Sequence, residues 1–268
     1  MKFQLASTLH NHTTLSDGRH TPEQMVLAAL DAGMTDFGIS DHSCTPHDLR
    51  YCIADTQAYL AQLRALQARY AGQIRLHVGI EQDFFGPVPD RRQFDYIIGS
   101  VHYYPSRQGY YDVDGSAQDT ARALNELFDG DAMAMTRAYY QQVVRNVQTY
   151  RPDVIGHFDL ITKFNEDGAL FSAGHPRYRA AWQSAASALL PYGIPFELNT
   201  GAMSRGYRAA PYPSEEILRY LALHGGCGLL SSDSHRAQSL GFGFDAAARM
   251  AQAAGLPLVL RVRNIEWS

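Results

Sequence analysis

The chain has 268 residues, 46% of them apolar, and a net charge of −4. That length suits one α/β barrel, and that composition can bury a core unaided by disulfides. No run approaches the ~18 apolar residues of a membrane span, no Lys/Arg-rich run suggests a nucleic-acid partner, and the opening MKFQLASTLHNH lacks a signal-peptide core.

In chain order, the first predicted strand is the apolar run Leu5–Leu9. A helix follows from Thr21, which caps it, through Pro22 at its first position to Gly33, which ends it. Next come a strand at Asp36–Ser40, a helix at Asp55–Ala71 stopped by Gly72, and strands at Ile74–Ile80 and Tyr96–Val101. Residues 103–130 are the least regular and read as a long loop with a short helix beside the active face. Beyond it the pattern gives a helix at Asp131–Tyr150, a strand at Val154–Gly156, a helix at Arg177–Leu190 and a strand at Pro195–Leu198. A helix at Ser214–His224, a strand at Gly228–Ser231 and a helix at Phe244–Ala254 complete the series, with Leu256–Val262 as a candidate eighth strand. Strands alternating with helices indicate parallel βα units, in a barrel or a doubly wound sheet, and the whole of 1–268 reads as one domain.

The polar residues fall where such a fold would use them. His10 and His12 follow the first strand, Asp41 and His42 the second, and Glu81 the third. His102 follows the fourth, His157 the fifth, and Asp233 and His235 the seventh. The carboxyl ends of barrel strands share one face, so these groups converge although the sequence scatters them. Side chains alternate along a strand, so His10 and His12 point the same way, as do Asp233 and His235. Imidazoles mixed with carboxylates suit Zn, Mn or Fe better than Mg or Ca, and the set exceeds one tetrahedral shell, so more than one metal is expected. Any one of these histidines, or SDG at 16–18, is ordinary alone; the joint placement carries the reading. His20, His47, His175 and His224 fall in loops or helix ends, and His77 reads as a hydrogen-bonded core residue. Cys44, Cys52 and Cys227 form no CxxC pair and no disulfide framework, which fits a reducing cytoplasm.

At HNHTTLSDG (10–18), ISDH (39–42), GIEQDF (79–84), IGSVHY (98–103), IGHFDLITKF (155–164), ELNTGAMSRG (197–206), YPSEEIL (212–218) and SSDSH (231–235), the sequence resembles the polymerase and histidinol phosphatase (PHP) family. Within that family it is similar to the monofunctional histidinol-phosphate phosphatases. The resemblance covers nearly the whole chain and implies a distorted TIM-like (β/α)7 barrel with two or three divalent transition-metal ions. By motif, His10, His12, Glu81 and Asp233 would hold the first metal. Glu81 would bridge to a second held by His102 and His157, and Asp17, His42 and His235 would hold a third. Some members place a histidine where this chain has SDG, so Asp17 takes that role, with nearby His20 as its rival.

Such a cluster implies attack of an activated water on phosphorus with no covalent enzyme intermediate, and Glu81, His10, Asp233 and His235 count as catalytic as well as metal-binding. Candidate phosphate-binding cations are Arg205, Arg208 and Lys163; for the last two a solvated surface cation is the more ordinary reading. Glu197 and Asn199 are candidate acceptors for a substrate amine or ring, and Tyr103, Phe84 and Phe85 candidate stacking partners. The expected partner is a small phosphorylated substrate, histidinol phosphate first, with another phosphate ester or a nucleotide as the alternative. A non-catalytic module of this family often loses ligands, and many amidohydrolases need a bridging lysine, for which this chain has Glu81 and His102 at the corresponding strand ends.

Overall fold

The computed structural model describes residues 7–107, 109–262 and 265–266. Its elements are β1 (Ser7–Thr8), α1 (Pro22–Asp31), β2 (Asp36–Ile39), α2 (Thr56–Arg69), β3 (Arg75–Asp83), β4 (Tyr96–Ser100), β5 (Tyr103–Ser106), β6 (Gly109–Asp112) and α3 (Ala117–Phe128). They continue with α4 (Ala132–Tyr150), β7 (Val154–Ile155), α5 (Pro176–Leu189), β8 (Phe196–Asn199), α6 (Gly201–Ser204), α7 (Glu215–Leu223), β9 (Gly228–Ser231), α8 (Phe244–Ala254), β10 (Arg261–Val262) and β11 (Ile265–Glu266). Residues 5 and 6 of the predicted first strand lie outside the described residues.

Seven parallel strands form one sheet in the order β1-β2-β3-β4-β7-β8-β9. It curls into a TIM-like α/β barrel, one of the two arrangements the alternation allows and the one the family resemblance implies. The seam is short. Asn11 and Ser234 form a single parallel bridge, with the His12 amide donating to the Ser234 carbonyl at 2.9 Å and the Ser232 amide to the Thr8 hydroxyl at 3.2 Å. The predicted eighth strand is not a barrel strand. Leu258 makes one bridge to Gly228, and Val262 pairs antiparallel with Ile265. Val262 and Ile265 pack with Leu9, Tyr96, Ile98, Val154 and Leu229, closing the amino end of the barrel. Inside, the Tyr96 ring lies against Gly38 and Gly79, where any Cβ would collide with it, and its hydroxyl donates to the Leu9 carbonyl.

Local chemistry explains the helix starts. Thr21 and Gln24 cap α1 reciprocally, with Pro22 in the first turn. The Asp55 carboxylate accepts from the Ala58 amide at 2.8 Å, and Gly72 stops the following turn at φ +86°. The stretch 103–130 is more regular than predicted. Tyrosine-rich β5 and β6 pair antiparallel, Ser116 caps α3 through the Asp119 amide at 3.1 Å, and α3 runs for 12 residues. Thr120 and Ala123 are buried and Leu124, Leu127 and Phe128 pack half-buried against the core, so its large apolar residues crowd into the last turns, where the sequence suggests only a short helix. Among the described residues no helix is long and apolar enough to cross a membrane.

Candidate metal centre

The loop after β1 carries His10, Asn11 and His12 in alternation. Asn11 turns back into the barrel wall, donating to the Thr8 and Gly38 carbonyls at 3.2 and 2.8 Å. His10 and His12 therefore share the opposite side. The rest of that loop is tied down by Asp41, whose carboxylate accepts from the Thr13 amide (2.7 Å), the Thr13 hydroxyl (2.9 Å) and the Ser16 hydroxyl. This brings Asp17 into the site and leaves His42, next to Asp41, facing it.

Glu81 sits at the centre, fully buried. Its carboxylate lies 3.2 Å from His10 Nε2, 3.6 Å from His12 Nε2, 2.8 Å from His42 Nδ1, 3.5 Å from His102 Nε2 and 3.0 Å from His157 Nε2. Asp233 Oδ1 lies 3.2 Å from His12 Nε2. Asp17 lies 3.5 Å from His12, 3.8 Å from His42 and 3.0 Å from His235. The rival, His20, instead accepts from the Ala237 amide. Every ligand residue selected from the sequence is thus in one cluster. Three groups lie close enough to share an ion: His10 with His12 and Asp233; His42 with Glu81 and His102; and His12 with Asp17, His42 and His235.

The donor set fits divalent transition metals on a structural criterion. His10 Nε2, both His12 ring nitrogens, His42 Nδ1 and Glu81 Oε2 are buried atoms without a hydrogen-bond partner. Leaving each unpaired costs about 1–3 kcal/mol, so their convergence calls for a cation among them. The electrostatics agree. Burial disfavours charge on His10, His42 and His102, but the nearby carboxylates win and raise all three, His102 to about 9. Burial, with His235 and His42 beside it, lowers His12 to about 3. Burial opposes charge on Glu81 and Asp233 as well. The histidines around Glu81, and Arg205 with His10 beside Asp233, still hold both carboxyls well below the usual range.

Several groups prove to be supports. Glu197 is fully buried and does not reach the pocket: it lies 2.6 Å from His10 Nδ1 and accepts from the His157 amide (2.9 Å), the Ser231 hydroxyl (2.8 Å) and the Asn199 amide (3.1 Å). Glu197 and Asn199 are therefore corrected from substrate acceptors to residues that orient the cluster, the usual role of a carboxylate behind a ligating histidine. Asp83, missed in the sequence, does the same for His102 at 3.1 Å; the signal was its parity with Glu81 in GIEQD. Arg208 is part-buried, donates to the Thr162 carbonyl and hydroxyl, faces Tyr212 and does not line the pocket, so neither the phosphate position nor a solvated surface describes where it stands. Lys163 reaches the pocket, but its ammonium is bound to the Asp114 carbonyl and carboxylate, both at 2.8 Å. Phe84 and Phe85 line a separate cavity with Tyr104 and Phe128. His77 is hydrogen-bonded to Asp36 at 2.9 Å, as expected.

The cluster forms the floor of a cavity of about 410 Å³. Tyr51, Tyr103 and Tyr207 wall it, Arg205 enters from the side, and Asp48, Asp112 and Asp119 stand at the rim. The rim acids escaped the sequence reading because the β5–β6 hairpin and α3 deliver two of them. Burial with Asp119 and Asp114 nearby pushes Asp112 up to about 6. A larger cavity, about 590 Å³, lies between α4 and α5; it is lined by alanines and arginines and offers no ligand cluster.

A family model described as PHP domain matches residues 8–201. A Deinococcus radiodurans protein named "Probable histidinol-phosphatase" is 28% identical, the alignment spanning 96% of this chain and 97% of that one. Two solved structures share the fold. One, from Listeria monocytogenes and provisionally described as a histidinol phosphatase, has a TM-score of 0.76 at 20% identity, covering 90% of this chain and 99% of that one. The other, histidinol phosphate phosphatase from Lactococcus lactis complexed with Zn, L-histidinol and phosphate, has a TM-score of 0.69 at 19% identity, covering 98% and 99%.

Proposed function

The chain belongs to the PHP domain family, and on that premise we propose that it is a metal-dependent phosphomonoesterase hydrolysing L-histidinol phosphate to L-histidinol and phosphate, a step of histidine biosynthesis. Residues 1–268 form one domain of this kind: the segment after the family match supplies β9, Asp233 and His235. Three free cysteines and a small charged substrate suit a cytoplasmic enzyme. The observation that carries the reading is the convergence of buried, unpartnered histidine and carboxylate atoms at the floor of an open pocket.

His10, His12, Asp17, His42, Glu81, His102, His157, Asp233 and His235 would hold two or three Zn, Mn or Fe ions. When bound, the ions would supply Lewis-acid stabilisation of the phosphoryl charge and lower the pKa of a water towards neutrality. Glu81, central to the histidines, would be shared between adjacent ligand groups. Glu197 and Asp83 fix the orientation of His10 and His102. Arg205 offers a two-pronged grip on phosphoryl oxygens. Asp112 and its neighbours at the rim face the ammonium of an amino-alcohol phosphate, and Tyr51 and Tyr103 flank its ring. The names of the relatives support this substrate, since the Lactococcus lactis protein is complexed with L-histidinol and phosphate.

The test is a panel of phosphate esters, with histidinol phosphate beside a sugar phosphate and a nucleotide, assayed with Mn and Zn and after chelation. Histidinol phosphate should lead in kcat/KM by about 100-fold, equivalent to about 3 kcal/mol of differential transition-state binding, and chelation should abolish turnover. A better ester elsewhere in the panel overturns the substrate; activity indifferent to chelation overturns the metal chemistry.

A further inference from the structure

Arg205 is held by the residues that would bind metal. Its Nη1 donates to His235 Nδ1 at 2.8 Å and to the Asp233 carbonyl at 3.4 Å, and its Nη2 to Asp233 Oδ2 at 3.2 Å. A guanidinium only donates, so His235 Nδ1 must accept. A neutral imidazole has one N–H and one lone pair. With the lone pair of Nδ1 taken, the N–H sits on Nε2, aimed at Asp17 Oδ2 3.0 Å away. In that arrangement Nε2 has nothing to offer a metal.

Ligation through Nε2 requires the other tautomer. The N–H then stands on Nδ1, where it meets the N–H of Arg205, and its nearest acceptor is the Asp233 carbonyl at 3.1 Å. His235 Nδ1 therefore trades Arg205 for that carbonyl. Asp233 Oδ2, the second hold on Arg205, belongs to a carboxylate that a metal would also claim. Arg205 already lines the pocket, so losing its contacts with His235 and Asp233 would free its head group for an anion there.

We infer that Arg205 is a stand-in cation at the His235 end of the cluster, displaced into the pocket when a metal takes its place, so that phosphate binding is coupled to metal occupancy. The inference rests on the metal reading of the site and adds an order: metal first, then anion. Linkage makes the coupling reciprocal, so phosphate must tighten the metal by the factor by which the metal tightens phosphate.

The experiment is zinc uptake by full-length wild type, Arg205→Ala and Arg205→Gln, dialysed against buffered free zinc with and without inorganic phosphate. Elemental analysis gives occupancy, and the ¹⁵N shifts of the His235 ring give its tautomer. Removing the competing charge should let either variant bind its last zinc about 10-fold tighter, as expected for a nearby unit charge at intermediate dielectric. Phosphate should tighten zinc more in wild type than in the variants, where only its direct contact with the metal remains; an equal effect in both overturns the inference. Metal-depleted wild type should show the Nε2–H tautomer of His235 and change to Nδ1–H on loading, a readout that needs no variant to fold. Equal or weaker zinc binding in the folded variants, or Nδ1–H in the metal-depleted wild type, overturns the inference and leaves the metal site standing. Wild type that takes up no zinc overturns both.

Discussion

Both ends of the barrel hold buried acids beside histidines, and they treat them in opposite ways. At the amino end Asp36 accepts from Arg75 at 2.7 and 2.5 Å, from the Thr35 hydroxyl at 3.0 Å, and lies 2.9 Å from His77 Nε2. Burial pushes the Asp36 carboxyl up, and these partners more than reverse it. At the carboxyl end His10, His12, His42 and Glu81 approach one another and leave atoms unpaired. One end is complete as a protein; the other is complete only with something bound. The same residue types thus stabilise the fold at one end and build a site at the other, and the difference lies in whether each lone pair already has its proton.

The sharpest way to break that comparison is Glu81→Gln, which keeps the size and removes the central charge. At least one metal should be lost, and turnover should fall roughly 1000-fold or more with the fold retained. Near-normal turnover would show that the bridge is elsewhere. A second test uses pH. The raised pKa of His102 means that its pairing with Glu81 and Asp83 stabilises the metal-free protein fully below about 6.5 and ceases to do so as pH rises through about 9. Metal-free protein should therefore lose up to about 3 kcal/mol between those values, read as a falling melting temperature, while metal-loaded protein stays flatter. Parallel curves for the two forms would mean that no metal replaces that proton. The smallest effect belongs to the amino end: Asp36→Asn should cost about 1–3 kcal/mol of stability and leave metal content and kcat unchanged. A change in metal content would mean that the two ends are mechanically linked.

The ligands were legible because each stands at a strand end and strand parity fixes which way it points. Parity says nothing of depth. Glu197 and Asn199 have suitable polarity near a strand end, yet lie beneath the cluster, and only three dimensions show that His10 Nδ1 stands 2.6 Å above Glu197. Arg208 and Lys163 were read from charge and from their place after a strand end; what sets where their heads point is a carbonyl, a hydroxyl and a carboxylate brought from distant segments. Asp112 and Asp119 were missed because residues 103–130 carry a tyrosine hairpin and a helix whose buried residues are Thr120 and Ala123.

The short seam between the first and last strands bears on how the site comes together. Thr8 and Ser232 meet across 224 positions, and the cluster draws on both sides of that seam, with His10 and His12 from one and Asp233 and His235 from the other. Contacts this far apart in sequence carry the largest loop-closure cost, so the two sides of the seam can each form before they meet. The β2–β4 side alone can gather His42, Glu81 and His102, whereas His10 and His12 meet Asp233, and His12, Asp17 and His42 meet His235, only once the seam has closed. The complete cluster therefore depends on the longest-range contact of the barrel, and whatever loosens that seam opens the site before it unfolds the strands.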